Sequence, residues 1–257
     1  MPVFRGVSHI HSQHSFDGKL PLAKVRDLLA GQGCEFILMS EHIEQLSLQQ
    51  MQDAFADCRA LSTPECCLIP GIEMDALNIL VFGVGRAEEY HNLRDLVGKF
   101  RNQGAIVVLS HPVKIKRGIP AGIEEILNGI EIWNSRHDGK ISPRTQNLEL
   151  YHRLQQKNPE LVPLAGLDFH SATDCADIYM EVEASEKSER AIIEGIRSGK
   201  VRIIKNKVQL GLNPRAFPLK RAAYSLIRDC LYRMNSVIRS VGVKPPNWLR
   251  RVARRVF

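Results

Sequence analysis

Eight short apolar runs recur between residues 4 and 204 of this chain, and five of them end in a motif carrying histidine or a carboxylate. The runs are Phe4–His9, Glu35–Ser40, Cys67–Glu73, Leu77–Val84, Ala105–Ser110, Gly129–Trp133, Leu161–Leu167 and Tyr179–Val182. Most are continuous rather than alternating in hydrophobicity, the pattern of strands buried on both faces. Helix signals lie between most of them. Pro21 opens LPLAKVRDLLAGQG, Ser47 can cap LQQMQDAFADCRAL, and Ser142-Pro143 opens a segment reaching Gln156. Alternating strands and helices predict an α/β fold with a parallel sheet and helices outside it, and eight runs in so short a span favour a closed barrel.

Such a barrel gathers the C-terminal ends of its strands on one rim. Ser8-His9-Ile10-His11 closes the first run, Ser40-Glu41-His42 the second and Gly71-Ile72-Glu73 the third. Ser110-His111-Pro112 closes the fifth, and Ala165 to His170 the seventh. Scattered histidines would not respect strand ends, so these side chains are expected to converge. Imidazole and carboxylate without thiolate suit Zn²⁺, Mn²⁺ or Fe²⁺, and a carboxylate can bridge two ions. Clustered divalent ions neutralise phosphate oxygens and bring the pKa of a bound water towards neutrality, which favours hydrolysis of phosphate esters and, less often, of amides.

HIH followed by SFDG, then SEH, GIE, SHP and GLDFH, in this order, resemble the PHP (polymerase and histidinol phosphatase) superfamily over roughly residues 5–205. The resemblance implies a distorted seven-stranded β/α barrel with a di- or trinuclear metal centre and phosphoesterase activity. Carried over position by position, it makes His9, His11, Asp17, His42, Glu73, His111, Asp168 and His170 metal ligands, with Glu73 bridging. His9, His11, Glu73 and Asp168 would hold one ion and the catalytic water, and Asp17, His42 and His170 would contribute to a neighbour. One position departs. Where the family has a histidine after the glutamate, this chain has Asn78, which weakens a third site shared by Glu73 and His111. The expectation is two well-held ions and a weaker third.

The remaining histidines invite plainer readings. His14 matches no ligand position, and His91 and His152 lie in helical segments. Arg136, His137 and Lys140 follow the sixth run and could meet a substrate phosphate at the same rim, since a guanidinium binds phosphate through two parallel bonds. Lys114, Lys116 and Arg117 directly follow the SHP motif.

The net charge of +7 is unevenly placed. Residues 214–257 carry 11 Lys/Arg against one acid, leaving 24 basic and 27 acidic residues in 1–213. This divides the chain into a hydrolase-like body (1–213) and a basic helical C-terminal extension (214–257). Leu219, Ala223, Leu226, Cys230, Met234, Val237 and Val241 form one apolar helical face, expected to pack on the barrel or on a second subunit. In residues 247–257, Trp248, Leu249, Val252, Ala253, Val256 and Phe257 oppose four arginines, a composition suited to an anionic membrane surface or to nucleic acid. Six cysteines without a CxxC pair suggest a reduced, cytoplasmic setting, with the tail able to place the protein at the inner membrane face.

The expected function is a metal-dependent phosphoesterase using a metal-bound hydroxide on a small phosphomonoester or nucleotide. Only 37 residues separate Glu73 from His111, too few for the inserted domain carried by members that resemble nucleotide and RNA phosphoesterases. One alternative is a catalytically weak barrel serving as a binding or regulatory module tethered by its tail, for which Asn78 is the only support. Another is an amidohydrolase, which would want a bridging lysine where Glu73 stands.

Overall fold

The computed structural model describes residues 1–115, 118–138, 143–174, 178–205 and 208–210, with scattered helical positions between 226 and 240. In chain order the elements are β1 (Val3–Ile10), α1 (Leu22–Ala30), β2 (Phe36–Met39), β3 (Glu41–His42), α2 (Leu48–Leu61), β4 (Cys67–Ile69), β5 (Gly71–Met74) and β6 (Ile79–Phe82). There follow α3 (Leu93–Asn102), β7 (Ile106–Leu109), β8 (Gly129–Asn134), α4 (Thr145–Lys157), β9 (Val162–Gly166), β10 (Ile178–Glu183), α5 (Glu189–Arg197), β11 (Val201–Lys205) and β12 (Val208–Leu210).

The helix signals act as expected. Pro21 precedes α1. Ser47 caps α2 in a reciprocal capping box with Gln50, which satisfies two of the orphan backbone donors at the helix start. α4 starts at Thr145, slightly later than expected, and runs to Lys157. The core is built from the runs read as strands. Phe36, Ile37, Leu80, Val81, Phe82, Val107, Ile130, Trp133 and Met180 are inaccessible to solvent. Fully burying an aliphatic or Phe side chain contributes about 1.5–3 kcal/mol.

Strand pairing differs from the expected single parallel barrel. Two six-stranded sheets form, in the orders β12-β11-β10-β1-β2-β4 and β3-β5-β6-β7-β8-β9. The chain crosses between them at two interruptions. Ser40 separates β2 from β3, and its N–H turns to the Ile10 carbonyl (2.8 Å). Pro70, with no N–H to give a ladder, separates β4 from β5. The upstream halves β2 and β4 therefore extend the β1 sheet, while β3 and β5 begin the other. A lone parallel bridge joins Ile10 to Phe169, reinforced by hydrogen bonds from His11 N–H to the Phe169 carbonyl and from Leu167 N–H to the Ser8 carbonyl (each 2.9 Å).

Direction also departs from expectation. β1–β2–β4, β3–β5 and β7–β8–β9 are parallel, but β5–β6–β7 are antiparallel, as is β10 against both β1 and β11. Four residues, Asp75 to Asn78, join β5 to β6. That permits a hairpin but not the dozen or so residues of a parallel crossover.

Lys116, Arg117, Lys140 and residues 247–257 lie outside the described residues. Leu226, Met234 and Val237, expected to be covered, are exposed, so at these positions the apolar face is not buried on the body of the protein.

Candidate metal centre

The strand ends do converge. His9 is the penultimate residue of β1 and His11 follows that strand; Asp17 comes from the next loop; His42 lies in β3 and Glu73 in β5; His111 follows β7, and Asp168 and His170 follow β9. His9, His11, His42, Glu73, His111 and Asp168 are all buried. Among the described residues, the non-glycine residues with positive φ are His9 (65°), Asn78 (52°), His111 (22°) and Asp168 (56°). Left-handed backbone is costly for residues with a Cβ. Here it occurs at three strand ends, where it turns each side chain off the pleat and towards the rim.

Glu73 organises the floor. Its Oε2 faces His9 Nε2 (3.0 Å), His11 Nε2 (3.3 Å) and His42 Nε2 (3.8 Å), while its Oε1 faces His111 Nε2 (2.9 Å). Asp17 Oδ2 lies 2.8 Å from His170 Nε2 and 3.5 Å from His42 Nε2. The His11 ring stacks between those of His42 (4.6 Å) and His170 (4.3 Å). Three overlapping donor sets result, each with atoms within 4.8 Å of one another: His11, Asp17, His42 and His170; His9, His11 and Glu73; His9, His111 and Asp168. His42, Glu73 and Asp75 form a fourth, of which Asp75 was not anticipated.

Burial on its own would lower the His9 imidazole. The facing carboxylates of Glu73, Glu131 and Asp168 outweigh it and raise His9 well above the ordinary histidine value. Burial would likewise raise those three carboxyls, but the His9 charge and imidazole hydrogen bonds, from His137 in the case of Asp168, lower each from its ordinary value. His11 goes the other way, lowered chiefly by burial. Three like-charged carboxylates are thus held in one buried place, where each needs a cation for company.

Divalent ions fit this arrangement. The donors are nitrogen and oxygen only, and His11 Nε2, Asp17 Oδ1 and Asp168 Oδ2 are buried without a partner in hydrogen-bonding geometry.

Glu131, in β8, was not anticipated from sequence. It is inaccessible to solvent; its Oε1 lies 2.8 Å from His9 Nδ1, and its Oε2 accepts from the His111 backbone N–H (2.8 Å) and from Asn134 Nδ2 (3.2 Å). By accepting from the Nδ1–H of His9, it leaves Nε2 facing the pocket. Gly166 makes room for it, since a Cβ there would overlap Glu131 Oε1. An acid inside an otherwise apolar run, GIEIWN, was the signal available. Glu41 acts in a similar supporting way, accepting from the hydroxyls of Ser12 (2.7 Å) and Ser15 (2.6 Å) and so fixing the loop that carries Asp17.

The pocket above the floor has a volume of about 290 Å³ and is open to solvent. Phe16, Lys114, Arg136 and His137 line its mouth with the ligand candidates. Arg136 Nη1 is 2.7 Å from His170 Nδ1. His14 instead pairs with Asp57 (3.1 Å), away from the pocket lining. Asn78 sits in the β5–β6 turn, where asparagine tolerates left-handed backbone, and is not among the residues lining the pocket.

No family model matches the sequence, and no curated protein matches it. Solved structures do. A two-domain protein from Bacteroides vulgatus ATCC 8482, containing a predicted PHP-like metal-dependent phosphoesterase, superposes with a TM-score of 0.62 at 18% identity, over 82% of this chain and 67% of that one. PsfC from Pseudomonas syringae PB-5123 gives 0.56 at 16% identity, over 91% and 99%. The lesion-specific endonuclease PfuEndoQ from Pyrococcus furiosus gives 0.53 at 12% identity, over 83% and 60%. At such identities the likeness is one of fold, and the resemblance to the PHP superfamily carried by five short motifs holds in three dimensions: this chain has a PHP-like fold.

Proposed function

We propose that the protein is a metal-dependent phosphoesterase acting on a small phosphorylated substrate. One observation carries the reading: the Glu73 carboxylate divides between two sets of imidazoles, with His9, His11 and His42 at one oxygen and His111 at the other. That is the placement of a bridging ligand. When bound, two or three divalent ions would supply Lewis acidity, charge neutralisation and a water of lowered pKa. His9, His11, Glu73 and Asp168 would hold one ion; Asp17, His42 and His170 would hold its neighbour, with Glu73 and His111 reaching a third.

The protein's own groups do the rest. Arg136, at the pocket mouth, binds a phosphate oxygen and orients the ester over Glu73. Lys114 adds positive charge on the same side and draws anions in. Stacked between two rings, His11 keeps its orientation during turnover. A pocket of about 290 Å³ sits at the small end of ligand sites and suits a phosphate group with a modest leaving group.

The test is hydrolysis of p-nitrophenyl phosphate with and without added Mn²⁺, followed by a panel of phosphomonoesters, cyclic nucleotides and short oligonucleotides. Metal-stimulated turnover that His9→Ala abolishes is expected. A chain that binds no metal and shows no metal-stimulated turnover on the panel would remove the proposal.

A further inference from the structure

The side of the centre around Glu73 Oε1 and His111 lacks the ligand that the family resemblance would place at Asn78, and the structure brings a different histidine there. His137 comes from the turn after β8. Its Nε2 lies 2.7 Å from Asp168 Oδ2, and its ring stands edge-on to the His111 ring at 5.4 Å. Close as they are, His137 Nε2 and Asp168 Oδ2 are both buried atoms without a partner in hydrogen-bonding geometry. A buried imidazole nitrogen and a carboxylate oxygen this close, at the lining of the same pocket as His111, are placed as two ligands of a single ion would be.

The backbone holds His137 in that position. Its N–H donates to Asn134 Oδ1 (3.1 Å), and its carbonyl accepts from Arg144 Nε (3.1 Å) and Nη2 (2.6 Å). Next to it, buried Asp138 accepts from the Asn134 N–H (2.7 Å) and from Asn147 Nδ2 (2.8 Å). A turn tied at this many points presents its side chain at little entropic cost, as ligands of a tight site require. His111, Asp168 and His9 already offer donor atoms within 4.8 Å of one another on this side.

We propose that His137 is a metal ligand, adding Nε2, through its contact with Asp168, to the donor set of His9, His111 and Asp168, on the side where Asn78 supplies no imidazole. The inference rests on the phosphoesterase reading above and deepens it. His137 becomes part of the metal centre, and contact with the substrate phosphate is left to Arg136.

The experiment compares metal content per chain by elemental analysis and Mn²⁺ affinity by calorimetry for the wild type, His137→Ala, His137→Gln and His91→Ala, each shown to be folded by circular dichroism. Both His137 variants should hold one ion fewer than the wild type, or hold that ion at least about 100-fold more weakly. His91→Ala, which removes an exposed imidazole outside the pocket lining, should bind metal like the wild type. A folded His137 variant with wild-type stoichiometry and affinity would overturn the inference while leaving the phosphoesterase reading standing. A wild type that binds no ion would overturn both. A second readout needs no variant: in long-range ¹H–¹⁵N spectra of the wild type, the His137 Nε2 resonance should move to a metal-bound position as Zn²⁺ is added. A resonance that stays put as the other ring nitrogens shift would also overturn it.

Discussion

His9 and Glu131 form a fully buried pair, with Nδ1 and Oε1 2.8 Å apart, and the same carboxylate holds the backbone N–H of His111. One acid thereby sets the orientation of two candidate ligands from different strand ends. Glu131→Gln keeps the shape but removes the anionic acceptor. Metal affinity should fall by about 10- to 100-fold, the usual cost of losing such a support. Calorimetric titration of the folded variant with Mn²⁺ checks this, and unchanged affinity would show that the pair serves only packing.

Gly166→Ala should reproduce that defect without touching a polar group. Its Cβ would collide with Glu131 Oε1 and push the carboxylate off His9. Metal affinity should drop, and the loss should not add to that of Glu131→Gln in the double variant, because both act through one carboxylate.

Arg136 stands at the pocket mouth beside His170. If it binds the substrate phosphate, Arg136→Ala should raise KM by about 10- to 100-fold, the worth of a charge-assisted hydrogen bond. Arg136→Lys should recover only part of this, since an ammonium cannot make the paired contact. Steady-state kinetics on one phosphomonoester decides it.

Metal should stabilise the fold, because an unfolded chain has no assembled site. At a free concentration about 100 times Kd the gain is about 2.7 kcal/mol. For a domain of this size that is a rise in Tm of about 5–10 °C, which a chelator should reverse. A Tm indifferent to both would contradict a metal centre at Glu73.

Burial pushes the thiols of Cys34 and Cys66 up to about 12 and raises that of Cys58 well above its usual value. The thiolate is the reactive form, so at about pH 8 almost none of it exists at these positions. Brief alkylation of the native protein should modify exposed Cys230 and spare these three until denaturant is added, as peptide mass spectrometry would show.

The ligand candidates were legible because each falls within a few residues of a strand end, where a short motif reports both chemistry and placement. His9, His11, Glu73 and Asp168 could be named before any fold was known. Glu131 was hidden inside a run read as apolar, although an acid in a strand buried on both faces must have a partner. Sheet topology was less accessible. Whether β2 and β3 count as one strand depends on where the Ser40 N–H turns, a hydrogen bond to Ile10, thirty residues earlier. The hairpin at Asp75–Asn78 was written in its length but masked by the parallel pattern around it. His137 looked like a residue for substrate because its neighbour Arg136 suits phosphate; only the rigid turn shows where the ring goes.

The left-handed backbone at His9, His111 and Asp168 has a consequence for the history of this chain. Each such residue costs about 1–3 kcal/mol, and glycine at the same position would escape most of it. A lineage that had stopped holding ions would gain stability by mutating these positions, and random drift would offer that relief repeatedly. This chain has imidazole or carboxylate at all three. Strain of this kind persists where the surrounding structure over-determines it, and here it falls on three residues whose side chains form one donor set.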